Sequence, residues 1–283
     1  MDDPRRVLAR HHLDAKKSWG QNFLVDRQVL DRIVRAAAPG PDDVVVEIGA
    51  GTGALTAALA AQAPAVRRIV AVERDPDMLR VLHAELGSQA IVEVRAADAA
   101  AFDFAAESAA AGRPLVVLGN LPYQIASALL LALAGAGVAV ARAIVMVQKE
   151  MAQRVVAPPG SKTYGRLSVM VQQRTAARIL FHVGPGAFHP RPKVTSSVMA
   201  LVPRATPLAP VADLAAFERL VKEAFSTRRK MLRRALEPAY GAAALALAFE
   251  RAGIAGTRRA EELAVADFAR LSDALGGVGN PHA

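Results

Sequence analysis

The sequence contains no cysteine, and only 5% of its residues are aromatic. Without cysteine the chain has no disulfides, thiolate zinc sites or cysteine nucleophiles, which is consistent with a reducing compartment. Long apolar runs are also missing. The longest uncharged one, 128–141, is shorter than the roughly 18–20 residues that a membrane span needs. The N-terminal residues are charged and lack an apolar core, so we expect no secretory signal. The sequence therefore predicts a soluble, cytoplasmic protein with no membrane partner.

Apolar residues and positive charge are abundant. The chain has 283 residues, 53% of them hydrophobic, which suits one large domain or one domain with a small appendage. Its formal net charge is +9, and the whole excess lies in 142–204, which holds ten basic residues and one acid. A second basic cluster consists of Arg228, Arg229, Lys230, Arg233 and Arg234. This distribution predicts a polyanionic partner, most simply nucleic acid.

Short apolar runs alternate with helical patterns from residue 26 onward. Asp26 and Asp75, the latter followed by Pro76, are predicted to cap two of the helices. The predicted strands are 44–48, 68–72, 91–94, 115–118 and 143–147, with later ones at 177–183 and 194–202. Strands separated by helices predict a parallel sheet with right-handed crossovers. A proline-rich linker at 203–210 precedes helical sequence. We predict an α/β domain at 1–205 and a small all-helical domain at 206–283.

Glycines or acids follow the first three predicted strands. Gly49 and Gly51 follow the first, where glycine lets the backbone approach a ligand closely. Glu73 ends the second, where a carboxylate can bind ribose hydroxyls, and Asp98 follows the third, where it can accept from an adenine amine. Because the carboxyl ends of parallel strands share one edge of the sheet, these residues predict a site for an adenosine-containing cofactor.

The end of the fourth strand distinguishes a nicotinamide from S-adenosylmethionine. It reads Asn120-Leu121-Pro122-Tyr123. Pro122 makes the turn rigid, so the Asn120 amide and the Leu121 carbonyl can hold an exocyclic amine while Tyr123 stacks on its base. A dehydrogenase has no use for this arrangement, whereas an amine methyltransferase does. We therefore predict S-adenosylmethionine as cofactor, Asn120, Leu121 and Tyr123 as catalytic residues, and no metal.

These motifs occur together with 17–24 (KSWGQNFL), 188–194 (FHPRPKV) and 225–230 (FSTRRK). In this order, from about residue 10 to 275, the chain resembles the ribosomal RNA adenine dimethyltransferases of the KsgA/RsmA type. The resemblance implies a Rossmann-like S-adenosylmethionine-dependent methyltransferase fold with a helical C-terminal domain. It implies dimethylation of two adjacent adenosines in the 3′-terminal hairpin of 16S rRNA, within an immature small subunit. We expect the protein to be a monomer.

The resemblance also implies roles for single residues. Asn22 and Leu24 are expected to touch the cofactor, as is Asn120, and Gly49 and Gly51 to lie under its methionine part. The target base is expected between Tyr123 and Phe188, and the RNA phosphates at Lys193, Arg228, Arg229 and Lys230. Departures from the family pattern at Gln124, Thr195, Thr227 and Met231 concern the target loops rather than a catalytic group.

Two other functions are compatible with parts of this pattern. The first is a resistance methyltransferase acting on large-subunit rRNA, which we expect to carry Ile in place of Leu121 and to have a shorter C-terminal part. The second is a non-catalytic RNA-binding assembly factor, which we expect to have lost Glu73 or the turn at 120–123. Since the chain keeps these residues, the sequence favours the small-subunit enzyme.

Overall fold

The computed structural model describes residues 2–16, 19–61, 66–227 and 230–277. The predicted RNA-binding residues Arg228 and Arg229, and residues 17–18 of the N-terminal motif, lie outside the described residues. The chain forms two compact units. One consists of Met1–Ala152 and Ala176–Pro203, and the other of Gln153–Thr175 and Arg204–Ala283. No helix among the described residues is long and apolar enough to cross a membrane.

The strands are β1 (Phe23–Leu24), β2 (Val44–Ile48), β3 (Arg68–Glu73), β4 (Val92–Ala96), β5 (Leu115–Asn120), β6 (Val140–Gln148), β7 (Thr175–Val183), β8 (Phe188–His189) and β9 (Ser196–Pro203). The helices are α1 (Pro4–Arg10), α2 (Arg27–Ala37), α3 (Ala54–Ala60), α4 (Pro76–Leu86), α5 (Phe104–Ala111), α6 (Ala126–Gly135), α7 (Lys149–Val155), α8 (Arg166–Arg174), α9 (Leu214–Ala224), α10 (Leu232–Tyr240), α11 (Ala242–Ala252) and α12 (Val265–Gly276).

The first unit is built around a seven-stranded sheet with the order β4-β3-β2-β5-β6-β9-β7. Strands β2 to β6 are parallel, and β9 runs antiparallel to β6. Every residue of β2 is buried, as expected for an apolar strand that is covered on both faces. The chain runs from β2 outward to β4 and then returns to β5 on the other side of β2. This reversal leaves a crevice at the carboxyl ends of β2 and β5, where ligands bind in sheets of this kind.

Helix starts and core packing follow the sequence pattern. Asp26 caps α2 by accepting from the N–H groups of Gln28 and Val29. The apolar face of this helix joins the main core through residues such as Ile33 and Val34. Asp75 caps α4 and has Pro76 next to it in the first turn, as predicted.

The sequence pattern did not reveal one strand pair. β1 and β8 pair antiparallel, with Phe23 opposite His189 and Leu24 opposite Phe188. Each of these strands has only two residues, too few to show an alternating pattern. Their pairing joins the N-terminal segment to the loop after β7.

The second unit is helical. Helices α9 to α12 pack on one another, and α8 packs against α9 and α12. Residues such as Phe217, Leu236, Leu245 and Phe268 are completely buried there. The predicted division at residue 205 differs from this arrangement, because residues 153–175 cluster with the helical unit although they precede the linker.

Gly119 lies where β5 packs closely against β2. A Cβ at this position would lie 2.7 Å from the Ile48 backbone oxygen and 3.1 Å from Leu121 Cδ2. We predict that Gly119→Ala lowers the free energy of unfolding by about 1–3 kcal/mol, since a backbone atom cannot move aside easily. Gly186→Ala, with nothing within 4 Å, serves as the control and should change it by less than about 0.5 kcal/mol. Equal urea midpoints for the two variants would contradict this account of β5.

Candidate active site

A pocket of about 1100 Å³, including space open to solvent, lies at the carboxyl ends of β2, β3 and β5. Its lining includes residues 19–24 of the N-terminal arm (the arm being Lys16 and residues 19–24), the glycine-rich turn after β2, residues that follow β3, β4 and β5, and residues of α2, α3 and β6. The lining brings together most of the predicted cofactor and catalytic residues, namely Asn22, Leu24, Gly49, Gly51, Glu73, Asn120, Leu121 and Tyr123.

The turn after β2 has a backbone that favours glycine. Gly49, Gly51 and Gly53 have φ values of +72°, +56° and +83°. At Gly51 there is also little room, because a Cβ would lie 3.0 Å from Cε1 of Phe23. At this turn the pocket is therefore lined by backbone that carries no side chain at Gly49 and Gly51.

Glu73 is held in place by backbone N–H groups. Its Oε2 accepts from Gly51 N at 2.9 Å, and its Oε1 accepts from Arg74 N at 2.8 Å and from Asp75 N at 2.9 Å. A carboxylate has about four acceptor positions, so one remains at Oε2. The glycine-rich turn and the end of β3 are thus fastened to each other, with acceptor capacity left at the pocket.

The turn after β5 is anchored to neighbouring backbone. Asn120 Nδ2 donates to the Asn22 carbonyl oxygen at 3.0 Å, so that Oδ1 is the acceptor end of the amide. Leu121 N donates to the Met146 carbonyl oxygen at 2.9 Å. The Tyr123 hydroxyl lies 3.3 Å from Oγ of Ser196, a buried residue of β9 that the sequence did not reveal.

Two residues predicted to contact the cofactor or the target base, Asp98 and Phe188, are not part of the pocket lining. Asp98 lies next to lining residues in the chain. Its Oδ1 accepts from Ala100 N at 2.9 Å, and its Oδ2 pairs with Arg74 Nη1 at 3.3 Å. Phe188 is only 3% exposed and packs in the core together with Leu24. The expected contacts of Asp98 with adenine and of Phe188 with a base stay predictions.

The N-terminal arm is fastened by Asp75, which the sequence identified only as a helix cap. Asp75 is completely buried and accepts from Lys16 Nζ and Gln21 Nε2, both at 2.6 Å. Gln21 also accepts from the backbone N–H of Lys16 at 2.8 Å. These bonds bring the arm over the end of β3, where it contributes Trp19 and Asn22 to the pocket.

Two cations lie near the ring of Trp19. Lys16 Nζ is 5.3 Å from its ring centroid, and Arg74 Cζ is 4.9 Å from it. Both distances are in the range of cation–π attraction. Trp19 and Arg74 line the pocket together, and nothing in the sequence pattern pairs them.

Glu47 is a buried acid in the pocket lining. It lies on β2, is 3% exposed, and accepts a hydrogen bond from Thr56 Oγ1. Burial raises the pKa of Glu47 to about 8, with a further increase from the nearby charge of Glu73 and a partial offset from the Thr56 hydrogen bond. The sequence placed Glu47 in the motif without indicating this environment.

The predicted RNA-binding residues that are described, Lys193 and Lys230, are both exposed. The basic block at 142–204 is divided between the two units. Some of its charges have structural roles: Arg142 Nη2 pairs with Asp43 at 2.9 Å, and Arg174 Nη2 lies 3.4 Å from Glu218. These two arginines therefore contribute to ion pairs within their own units.

Comparison with known proteins gives consistent matches. The family model for ribosomal RNA adenine dimethylase matches residues 12–276. Ribosomal RNA small subunit methyltransferase A of Anaeromyxobacter sp. (strain K) is 46% identical, with 96% of this chain and 98% of that protein covered. The protein of the same name from Mesorhizobium japonicum is also 46% identical, with coverages of 96% and 97%.

Two solved structures resemble the whole fold. The 23S rRNA methyltransferase ErmE has a TM-score of 0.67 at 29% identity, with 90% of this chain and 100% of that chain covered. A dimethyladenosine transferase from Plasmodium falciparum has a TM-score of 0.70 at 25% identity, with coverages of 88% and 95%.

The parallel sheet, the strand reversal and the pocket at that reversal define a Rossmann-like methyltransferase of the S-adenosylmethionine-dependent class. The chain belongs to the ribosomal RNA adenine dimethylase family. The predicted fold class and the resemblance on which it depended are thereby confirmed.

We predict that Asp75→Ala lowers the free energy of unfolding by about 2–3 kcal/mol, because it removes a helix cap, the acceptor of Gln21 Nε2 and one of the two carboxylates that pair with Lys16 Nζ. Asp103→Ala is a matched control. Asp103 caps α5 by accepting from Ala105 N and Ala106 N, and these bonds lie within its own helix rather than at the arm. The control should lose only about 1 kcal/mol. Equal losses in urea denaturation would show that Asp75 does not hold the arm.

Proposed function

We propose that the protein transfers methyl groups from S-adenosylmethionine to the exocyclic amino nitrogens of two adjacent adenosines in the 3′-terminal hairpin of 16S rRNA, dimethylating both. The observation that carries this proposal is the turn Asn120–Tyr123 at the pocket beside the glycine-rich turn and Glu73. The small-subunit names of the relatives, together with near-complete coverage of both chains, support the choice of substrate.

The pocket suits S-adenosylmethionine, which when bound supplies an electrophilic methyl group. Gly49 and Gly51 line the pocket and would lie under the methionine part, and Glu73 Oε2 keeps an acceptor for a ribose hydroxyl. Asn22 and Leu24 close the pocket from the arm. Asp98 would accept from the adenine amine, which requires that it share or exchange its pairing with Arg74.

Asn120 and Leu121 would hold the target amine. The lone pair of an adenine amine is delocalised into the ring, so the amine is a poor nucleophile. Hydrogen bonds from this amine to Asn120 Oδ1 and to the Leu121 carbonyl would favour a pyramidal nitrogen and orient it toward the methyl group. The methylated amine is acidic and releases its proton afterwards, so no strong base is required at this turn.

The target adenosine has to leave its stack, at a cost of about a few kcal/mol. Stacking on an aromatic ring returns about 1–3 kcal/mol per base, and Tyr123 lies at the pocket for this purpose. Phe188 would take part only if its core position opened toward the pocket. Lys193 and Lys230, together with Arg228 and Arg229, are proposed to bind phosphates without reading sequence.

The proposed partner is an immature small ribosomal subunit, to which the protein binds as a monomer. We assign the methyltransferase chemistry to the unit that contains the seven-stranded sheet and part of the subunit binding to the helical unit, where Lys230 is exposed. Location in the cytoplasm follows from this substrate and stays a prediction.

A large-subunit target is the second candidate. The structural similarity to the 23S rRNA methyltransferase ErmE over all of that chain favours it. Against it stand the 46% identity to proteins named as small-subunit enzymes and the presence of Leu121 where we expect Ile. The two candidates share the reaction and differ only in the RNA.

Methyl transfer to purified subunits distinguishes the two candidates. We expect the wild-type protein to dimethylate two adjacent adenosines near the 3′ end of the RNA in small subunits that lack the modification, when products are mapped at nucleotide resolution. Isolated large subunits should remain unmodified. A product found only in the large subunit would contradict the proposed substrate.

Asn120→Ala is the variant for the same assay. Because it removes an acceptor for the amine but no part of the glycine-rich turn, we expect methyl transfer to fall at least about 100-fold while cofactor binding is kept within about tenfold. Gln124→Ala, at an exposed position of the same turn, is the matched comparison. Equal rates for the two variants would remove the role of Asn120.

A further inference from the structure

Glu47 is an acid of the pocket that the proposed function does not use. It is 3% exposed on β2, lines the pocket, and bonds to Thr56 Oγ1 of α3. Glu73 is the neighbouring charge that acts on it, and no basic residue in the described part of the chain forms an ion pair with it. A buried carboxyl group without a cationic partner is favoured in its neutral form.

The other ionisable groups around Glu47 are few. Glu73 ends β3, Arg74 follows it, and the turn after β5 contributes Tyr123. Arg74 already pairs with Asp98 outside the pocket lining. The helices α2 and α3 contribute apolar residues and the Thr56 hydroxyl, and the described residues of the arm that line the pocket, such as Gln21, are uncharged.

The cofactor and its product differ by one positive charge. S-adenosylmethionine carries a sulfonium, an ammonium and a carboxylate, whereas S-adenosylhomocysteine is neutral because its sulfur is a thioether. A cation that binds near a buried carboxyl group favours the ionised form of that group. Glu47 keeps its proton near neutral pH before binding, since burial raises its pKa to about 8.

We propose that Glu47 is a specificity-determining residue for the cofactor: it releases its proton to solvent when the charged S-adenosylmethionine binds and keeps it when neutral S-adenosylhomocysteine binds. The inference rests on the proposed use of S-adenosylmethionine. Charge compensation of this kind strengthens the binding of S-adenosylmethionine relative to that of S-adenosylhomocysteine. It therefore favours replacement of the spent cofactor after each methyl transfer.

The sign of the pH dependence follows from linkage. Binding that releases a proton becomes tighter as the pH rises, and it levels off above the pKa of the unliganded acid, about 8 for Glu47. Below that pH the affinity falls by up to about tenfold per pH unit. S-adenosylhomocysteine binding has no such contribution from Glu47.

Titration calorimetry at pH 7 in buffers of different ionisation enthalpy counts the protons that are released. For the wild-type protein we expect close to one more proton released with S-adenosylmethionine than with S-adenosylhomocysteine. Glu47→Gln keeps the side-chain volume and an oxygen for Thr56 but cannot ionise, so this difference should disappear. Any proton exchange by the ligand's own ammonium group is the same for both proteins. It therefore cancels when the wild type is compared with Glu47→Gln.

Dissociation constants between pH 6.5 and pH 8.5 give an independent readout. Relative to Glu47→Gln, the wild-type affinity for S-adenosylmethionine should rise about tenfold or more from pH 6.5 to pH 8.5. Thr56→Val removes a hydrogen bond that favours the ionised acid, so it should move the midpoint of the wild-type profile to higher pH. Glu93→Gln is the control, because Glu93 pairs with Arg68 and Arg95 away from the pocket lining.

The outcomes are distinct. Equal proton release with both ligands, or parallel pH profiles for wild type and Glu47→Gln, would overturn the inference while S-adenosylmethionine binding remained. Failure of the wild-type protein to bind S-adenosylmethionine at any pH would contradict the proposed function instead. A shift in the Glu93→Gln profile as large as that of Glu47→Gln would also overturn the inference, since it would assign the effect to overall charge.

Discussion

The close approach of β2 and β5 is the constraint on which the site depends. Gly119 leaves no room for a Cβ against the Ile48 backbone, and the turn after β2 continues with glycines whose φ values are positive. Backbone atoms of the glycine-rich turn therefore line the crevice, together with side chains such as those of Glu73 and Asn120. Glu73 then fastens the glycine-rich turn through Gly51 N. The same packing that makes the sheet stable thus leaves a cavity lined by donors and acceptors.

Much of the sheet was predictable because its strands are continuous apolar runs. β2 has the predicted bounds, and β3 and β5 extend the predictions by one or two residues into Glu73 and Asn120. Turn chemistry also identified Asp26 and Asp75 as helix caps. These are local signals, and they suffice to bring the first residues after each strand to one edge.

The features that sequence reasoning missed depend on contacts between distant residues. The pairing of β1 with β8 joins segments about 165 residues apart, and α8 belongs with helices that follow the linker. Asp75 anchors the arm as well as capping a helix, and Phe188 is buried in the core. Charge counted along the chain suggested one RNA-binding block, whereas Arg142 and Arg174 form ion pairs inside separate units. Periodicity and composition contain no information of this kind.

We propose that the crevice between β2 and β5 holds the methyl donor with its ribose at Glu73 and its reactive end toward Asn120. A crystal structure of the complex with S-adenosylhomocysteine provides the test. We expect the ribose within hydrogen-bonding distance of Glu73 Oε2, the thioether sulfur near the turn Asn120–Tyr123, and the bond from Asn120 Nδ2 to the Asn22 carbonyl preserved. A ligand bound outside this pocket, or inside it with adenine at the turn after β5, would rule out this binding mode.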